Sequence, residues 1–95
     1  MSTKAEEKVI EIETFESEYS GWKLSAWKWY ETWYVTAELF DRVALSHGIC
    51  HGQSPSREIA EAMAKKRIDT NKNIKWTFYV RHAGGHLEVL RKETT

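Results

Sequence analysis

The stretch from Trp22 to Phe40, WKLSAWKWYETWYVTAELF, constrains the fold more than any other part of the chain. Residues 22–29 and 32–40 are rich in aromatic and β-branched side chains and contain neither glycine nor proline, which is strand composition. A two-residue turn at Tyr30 and Glu31 joins them as a hairpin. That turn pairs Trp29 with Thr32, Ala26 with Val35, Leu24 with Ala37 and Trp22 with Leu39, so apolar residues meet across the strands. Because side chains alternate along a strand, Trp33, Val35, Ala37 and Leu39 take the core side. Trp27 and Trp29 fall on the other face, beside Tyr34 and Thr36. A three-residue turn would reverse this and send both tryptophans inward.

The same period-2 pattern recurs on either side of the hairpin. VIEIETF, Val9 to Phe15, sets Ile10 and Ile12 against Glu11 and Glu13 and reads as a first strand. After a turn around Asp41 and Arg42, Val43, Leu45, His47 and Ile49 alternate as a fourth. HGQSPSREIAEAMAKKRID reads as a helix, with Ser54 as N-cap, Pro55 in the first helical position and an apolar stripe of Ile59, Ala62, Met63 and Ile68. Glu61 and Lys65 stand at the favourable i,i+4 spacing, and Lys65, Lys66 and Arg67 suit the negative end of the helix dipole. The polar run Asp69 to Asn73 ends it. Ile74, Trp76, Phe78 and Val80 then share one face of a fifth strand. A primed Gly84-Gly85 turn leads to a sixth around Leu87 to Arg91, pairing Val80 with Val89, Arg81 with Glu88 and Tyr79 with Leu90.

The expected order is β-β-β-β-α-β-β: an α+β protein with a single antiparallel sheet of five to six strands and one helix packed on one face. Ninety-five residues suit one small domain spanning 1–95, with residues 1–7 and 92–95 expected to be flexible. Hydrophobic residues make up 41% of the chain, enough for one core and too many for a disordered chain.

Lysine plus arginine equal aspartate plus glutamate at 14 each, so no global positive field favours nucleic acid. The charge is uneven along the chain. Residues 1–20 hold six glutamates and two lysines, and residues 42–95 hold ten basic and five acidic residues. The glutamates read as a solvated face, with mimicry of nucleic acid toward a basic partner as a second reading. The one cysteine, Cys50, cannot form an internal disulfide. With no signal core and no apolar run of membrane-spanning length, the expected location is cytoplasmic, with no membrane contact.

The sequence shows three candidate sites. Trp27, Trp29, Tyr34 and Tyr79, fringed by Lys23, Lys75 and Arg81, have the residue types that anchor interfaces and the parity of the open face. Alternatively, these rings pack under a loop or under the N-terminal arm. His47, Cys50 and His51, with His82 and His86 further on, supply metal-ligating atom types. On strands, however, His47 and His51 stand roughly 13 Å apart while Cys50 points the other way, and a Gly-Gly turn puts His82 and His86 on opposite faces. Cys50 and His51, being sequence neighbours on a strand, also point apart and do not make a nucleophile–base pair. No phosphate loop, nucleotide fingerprint or paired-carboxylate motif appears.

The run Ser56-Arg57-Glu58-Ile59-Ala60-Glu61, with Ala64 beyond it, resembles the second half of a double-stranded RNA-binding domain over about a third of the chain. In that family, lysines opening the last helix meet phosphates. Glu58 and Glu61 stand at two of those positions here, VIEIETF replaces the family's N-terminal helix, and two strands follow the helix, so the resemblance extends to patterning and not to RNA binding. In size, single sheet and lack of a catalytic constellation the chain is similar to small phage-encoded inhibitors such as anti-CRISPR proteins and to products of mobile elements, which implies a stoichiometric binder. The reading is a noncatalytic binding protein without cofactor, acting on a protein partner or as a homodimer. The alternatives are single-stranded nucleic-acid binding by stacking on Trp27, Trp29 and Tyr34 with Lys75 and Arg81 near the backbone, and a small metal-binding protein using the histidines and Cys50.

Overall fold

A computed structural model describes residues 12–95. Six strands, β1 (Thr14–Tyr19), β2 (Trp22–Trp29), β3 (Thr32–Asp41), β4 (Ser46–Ser54), β5 (Lys75–Arg81) and β6 (Leu87–Thr94), form one antiparallel sheet in chain order. The helix α1 (Arg57–Thr70) is inserted between β4 and β5. This is the α+β arrangement the alternation predicts.

The central hairpin has the expected register. Trp29 stands opposite Thr32, Ala26 opposite Val35 and Leu24 opposite Ala37, with the turn residue Tyr30 in the left-handed region at φ 55°. Trp22, Leu24, Ala26, Val35 and Ala37 are buried in one core with Cys50, Ile74 and the α1 residues Ala60 and Ala64. Partly buried aromatic rings frame this narrow core. Phe15 meets Trp33 at 6.0 Å and Trp22 meets Trp76 edge-on at 5.7 Å, while the Arg57 guanidinium lies 4.4 Å from the Phe15 ring centre.

The first strand differs from expectation. Val9 to Glu11 lie outside the described residues, Ile12 and Glu13 are not in a strand, and β1 starts at Thr14. Its position follows from a two-residue turn at Ser20 and Gly21, both at positive φ (50° and 84°), which sets Tyr19 against Trp22 and Phe15 against Ala26. The buried parity of β1 is therefore that of Phe15 and Tyr19.

β4 has the opposite parity from the one its large residues suggest. Ser46, Gly48, Cys50, Gly52 and Ser54 face the core, and His47 and Ile49 face away. Val43 is 96% exposed in a turn where the Asp41 carboxylate accepts from the Val43 and Ala44 N–H groups. The cause is close packing. A Cβ on Gly52 would come within 2.0 Å of the Ala60 carbonyl oxygen, and one on Gly48 within 2.7 Å of the Trp22 and Trp76 rings. Small residues mark the buried side of β4 because helix and tryptophans already fill the space.

The same closeness explains α1. Its buried residues are Ala60 and Ala64, whereas Ile59 is 56% exposed and Ala62 is exposed. From the expected stripe, Met63 and Ile68 are half-buried, and Ile68 packs on the core. The cap is Ser56, not Ser54. Ser56 Oγ accepts the Ile59 N–H at 3.4 Å, while Ser54 Oγ accepts the Ser56 N–H at 3.2 Å. Asn71, left-handed at φ 52°, closes the C-terminal end.

The last hairpin is shifted by one residue. The His82 N–H donates to the His86 carbonyl and the Gly85 N–H to the His82 carbonyl, so the loop is the three residues Ala83 to Gly85, with Gly85 at φ 88°. This is the three-residue turn that needs a left-handed glycine. It pairs Tyr79 with Val89, Val80 with Glu88 and Arg81 with Leu87, leaving Leu90 as the extra residue of a bulge. His82 and His86 consequently share a face, their rings stacked at 4.7 Å. Residues 92–94, expected to be flexible, pair with Lys75 to Thr77, and the Thr95 N–H donates to the Ile74 carbonyl. No helix among the described residues is long and apolar enough to cross a membrane.

Candidate interaction surface

On the face opposite α1, three of the expected site residues come together. Trp27 and Tyr34 are cross-strand partners, and their rings stack at 6.0 Å with 20° between planes. Beside them Trp29 is 37% exposed and meets Tyr30 edge-on at 4.8 Å. Ile12, 41% exposed, completes the group. These four side chains line an open apolar hollow of about 310 Å³. A second hollow of about 320 Å³ adjoins it, reaching from Trp27 and Tyr34 to Thr36 and His51.

Tyr79 is on the same face but belongs to a separate cluster. Its ring lies 6.2 Å from Phe40, six residues along β3 from Tyr34, or roughly 20 Å at the usual strand rise. Between the two clusters the face is polar apart from Ile49. Glu38 bonds His47 at 3.4 Å and Thr36 bonds His51 at 3.3 Å. Lys75 stands opposite Ile49, Arg81 opposite Leu87 near the β5–β6 loop, and Lys23 pairs with Glu16 at 3.0 Å. The expected platform is therefore a compact tryptophan–tyrosine patch at one end of the face, with Tyr79 and Arg81 at the other. Sequence reasoning overlooked Phe40, although it has the parity of Tyr34, Thr36 and Glu38. Ile12 reads as a strand residue in the sequence, which carries no signal for this place.

The remaining candidates separate. Cys50 points into the core, its Sγ 3.9 Å from the Ala64 carbonyl, whereas His47 and His51 point to the open face. Burial pushes the Cys50 thiol up, partly opposed by the charge of Arg67, the reverse of an activated nucleophile. At the far hairpin, His82 Nε2 lies 2.8 Å from a Glu88 carboxylate oxygen. Among the described residues no group of three or more His, Cys, Asp or Glu is placed to hold a metal ion. No protein-family model, curated protein or solved structure matches the chain.

Proposed function

We propose that this chain is a noncatalytic binding protein whose open sheet face is its interaction surface, with a second copy of the chain as the leading occupant and another protein as the alternative. The observation carrying the reading is the hollow lined by Ile12, Trp27, Trp29 and Tyr34 on the side away from α1. Large rings anchor interfaces because each removes much apolar area from water at small entropic cost, and monomers seldom leave such a patch uncovered. A second copy fits because the formal net charge is zero, so no long-range repulsion separates like chains. The balanced formal charge supplies no positive field for a phosphate backbone, which favours a protein occupant over single-stranded nucleic acid.

Sedimentation of the wild type over a range of concentrations tests this. The expected result is a reversible monomer–dimer equilibrium that is insensitive to salt. A monomer at every concentration, or association that weakens steeply with salt, counts against a second copy seated on an apolar patch.

A further inference from the structure

A hollow of about 450 Å³ lies at the edge of the sheet, between the C-terminal half of β4 and the side of α1 that carries Met63 and Arg67. Its origin is a mismatch in strand lengths. β3 stays paired with β4 as far as Ser54, whereas β5 pairs with β4 only from Ser46 to Ile49. Beyond Ile49, the β5 side of β4 has no neighbouring strand.

The backbone groups facing that gap follow from the hydrogen-bond pattern. The Tyr79 N–H donates to the Leu45 carbonyl. In an antiparallel ladder, alternate residues direct N–H and C=O to the same side, so the backbones of His51 and Gln53 face the gap as well. Arg67 Nη1 donates to the His51 carbonyl, which places a guanidinium at the inner end of the cleft. None of the residues lining the cleft is acidic. Among the described residues, Arg67 has no carboxylate within ion-pair distance.

The cleft is closed at one end. β5 begins at Lys75, opposite Ile49, so a strand laid antiparallel to β4 from the Ser54 end can run only as far as His51. Its last residue then arrives beside Arg67. An unpaired edge offers main-chain hydrogen bonds to an extended peptide, and a guanidinium is the group best suited to grip a carboxylate in two places.

We infer that this cleft captures the C-terminal end of another protein as a short antiparallel strand on β4, with Gln53 supplying main-chain bonds, Met63 an apolar wall and Arg67 the partner of the terminal carboxylate. The cleft abuts the open face, since His51, Gly52 and Gln53 also line the second hollow beside Trp27 and Tyr34, but the inference does not depend on the function proposed for that face.

The test is an amide-resolved NMR titration of the full chain with an N-acetylated pentapeptide of alternating threonine and valine, carrying either a free C-terminal carboxylate or an amide. The free acid is expected to shift the His51 and Gln53 amides and to bind about tenfold more tightly than the amide form, the size of one lost charge-assisted contact. Arg67→Gln, checked for a folded spectrum, should reduce acid binding to the level of the amide. Equal affinity for acid and amide overturns the inference without any variant. So do shifts confined to the open face around Trp27. Shifts of the Met63 and Arg67 amides, which line the cleft and not the open face, that depend on protein concentration before peptide is added would assign the cleft to a second copy and overturn it too.

Discussion

Gly52 and Tyr19 show how single residues hold helix to sheet. Gly52 has no room for a methyl group, because the Ala60 carbonyl oxygen stands 2.0 Å from where its Cβ would be and a backbone atom cannot swing aside. Gly52→Ala should therefore lower stability by about 1–3 kcal/mol or more, the cost of overpacking, read as a fall in the urea midpoint. Tyr19 ties β1 to α1 through its hydroxyl, which donates to the Asp69 carboxylate at 2.7 and 2.9 Å. That hydrogen bond, with smaller contributions from burial and the Asp69 charge, raises the phenol above its ordinary value of 10.0. Below that value the contribution to stability is fully present. As pH climbs toward the raised value the unfolded chain loses its proton first, so stability falls with rising pH. Tyr19→Phe should remove this part of the alkaline decline, measured by urea unfolding between about pH 8 and about pH 11. Neither role could be read from the sequence: a strand glycine and a tyrosine beside a turn have the same letters whether or not a helix lies over them.

At the scale of elements, the legible parts are those fixed by local chemistry. The β2–β3 hairpin follows from alternation and a two-residue turn, and its register is the one that puts apolar pairs together. The errors arise where long-range packing decides. In β4 the apolar letters Val43, Leu45 and Ile49 pointed to the wrong face, since the true signal was the run of small residues Ser46, Gly48, Cys50, Gly52 and Ser54. In α1 the bulky Ile59 drew attention from Ala60 and Ala64 for the same reason. The sequence pattern puts the cap at Ser54, two residues early, and the structure uses two serines in series, Ser54 on Ser56 and Ser56 on Ile59. Ser56→Ala should thus cost about 1 kcal/mol, visible as a lower thermal midpoint. At the last turn the choice between two and three loop residues flips parity, and Gly85 at φ 88° marks the longer loop.

For the whole molecule, one helix cannot cover both faces of a six-stranded sheet. α1 buries the face of Trp22, Leu24 and Val35 and leaves the other to Trp27, Trp29 and Tyr34. That division was legible in the hairpin register alone. The separation of Tyr79 and Arg81 from the tryptophans was not, because it depends on how far β5 slides along β4. The same slide exposes the β4 edge beside Arg67, so the two surfaces on this small protein have distinct origins, one in alternation and one in unequal strand lengths. The decisive property is whether the open-face rings serve association and not folding. Light scattering with circular dichroism on the wild type and on Trp27→Ser combined with Trp29→Ser measures both. The predicted outcome is a wild type near twice the 11.1 kDa chain mass and a variant that keeps its β-sheet signal but runs as a monomer. A variant that fails to fold would make the rings part of the core and contradict the account.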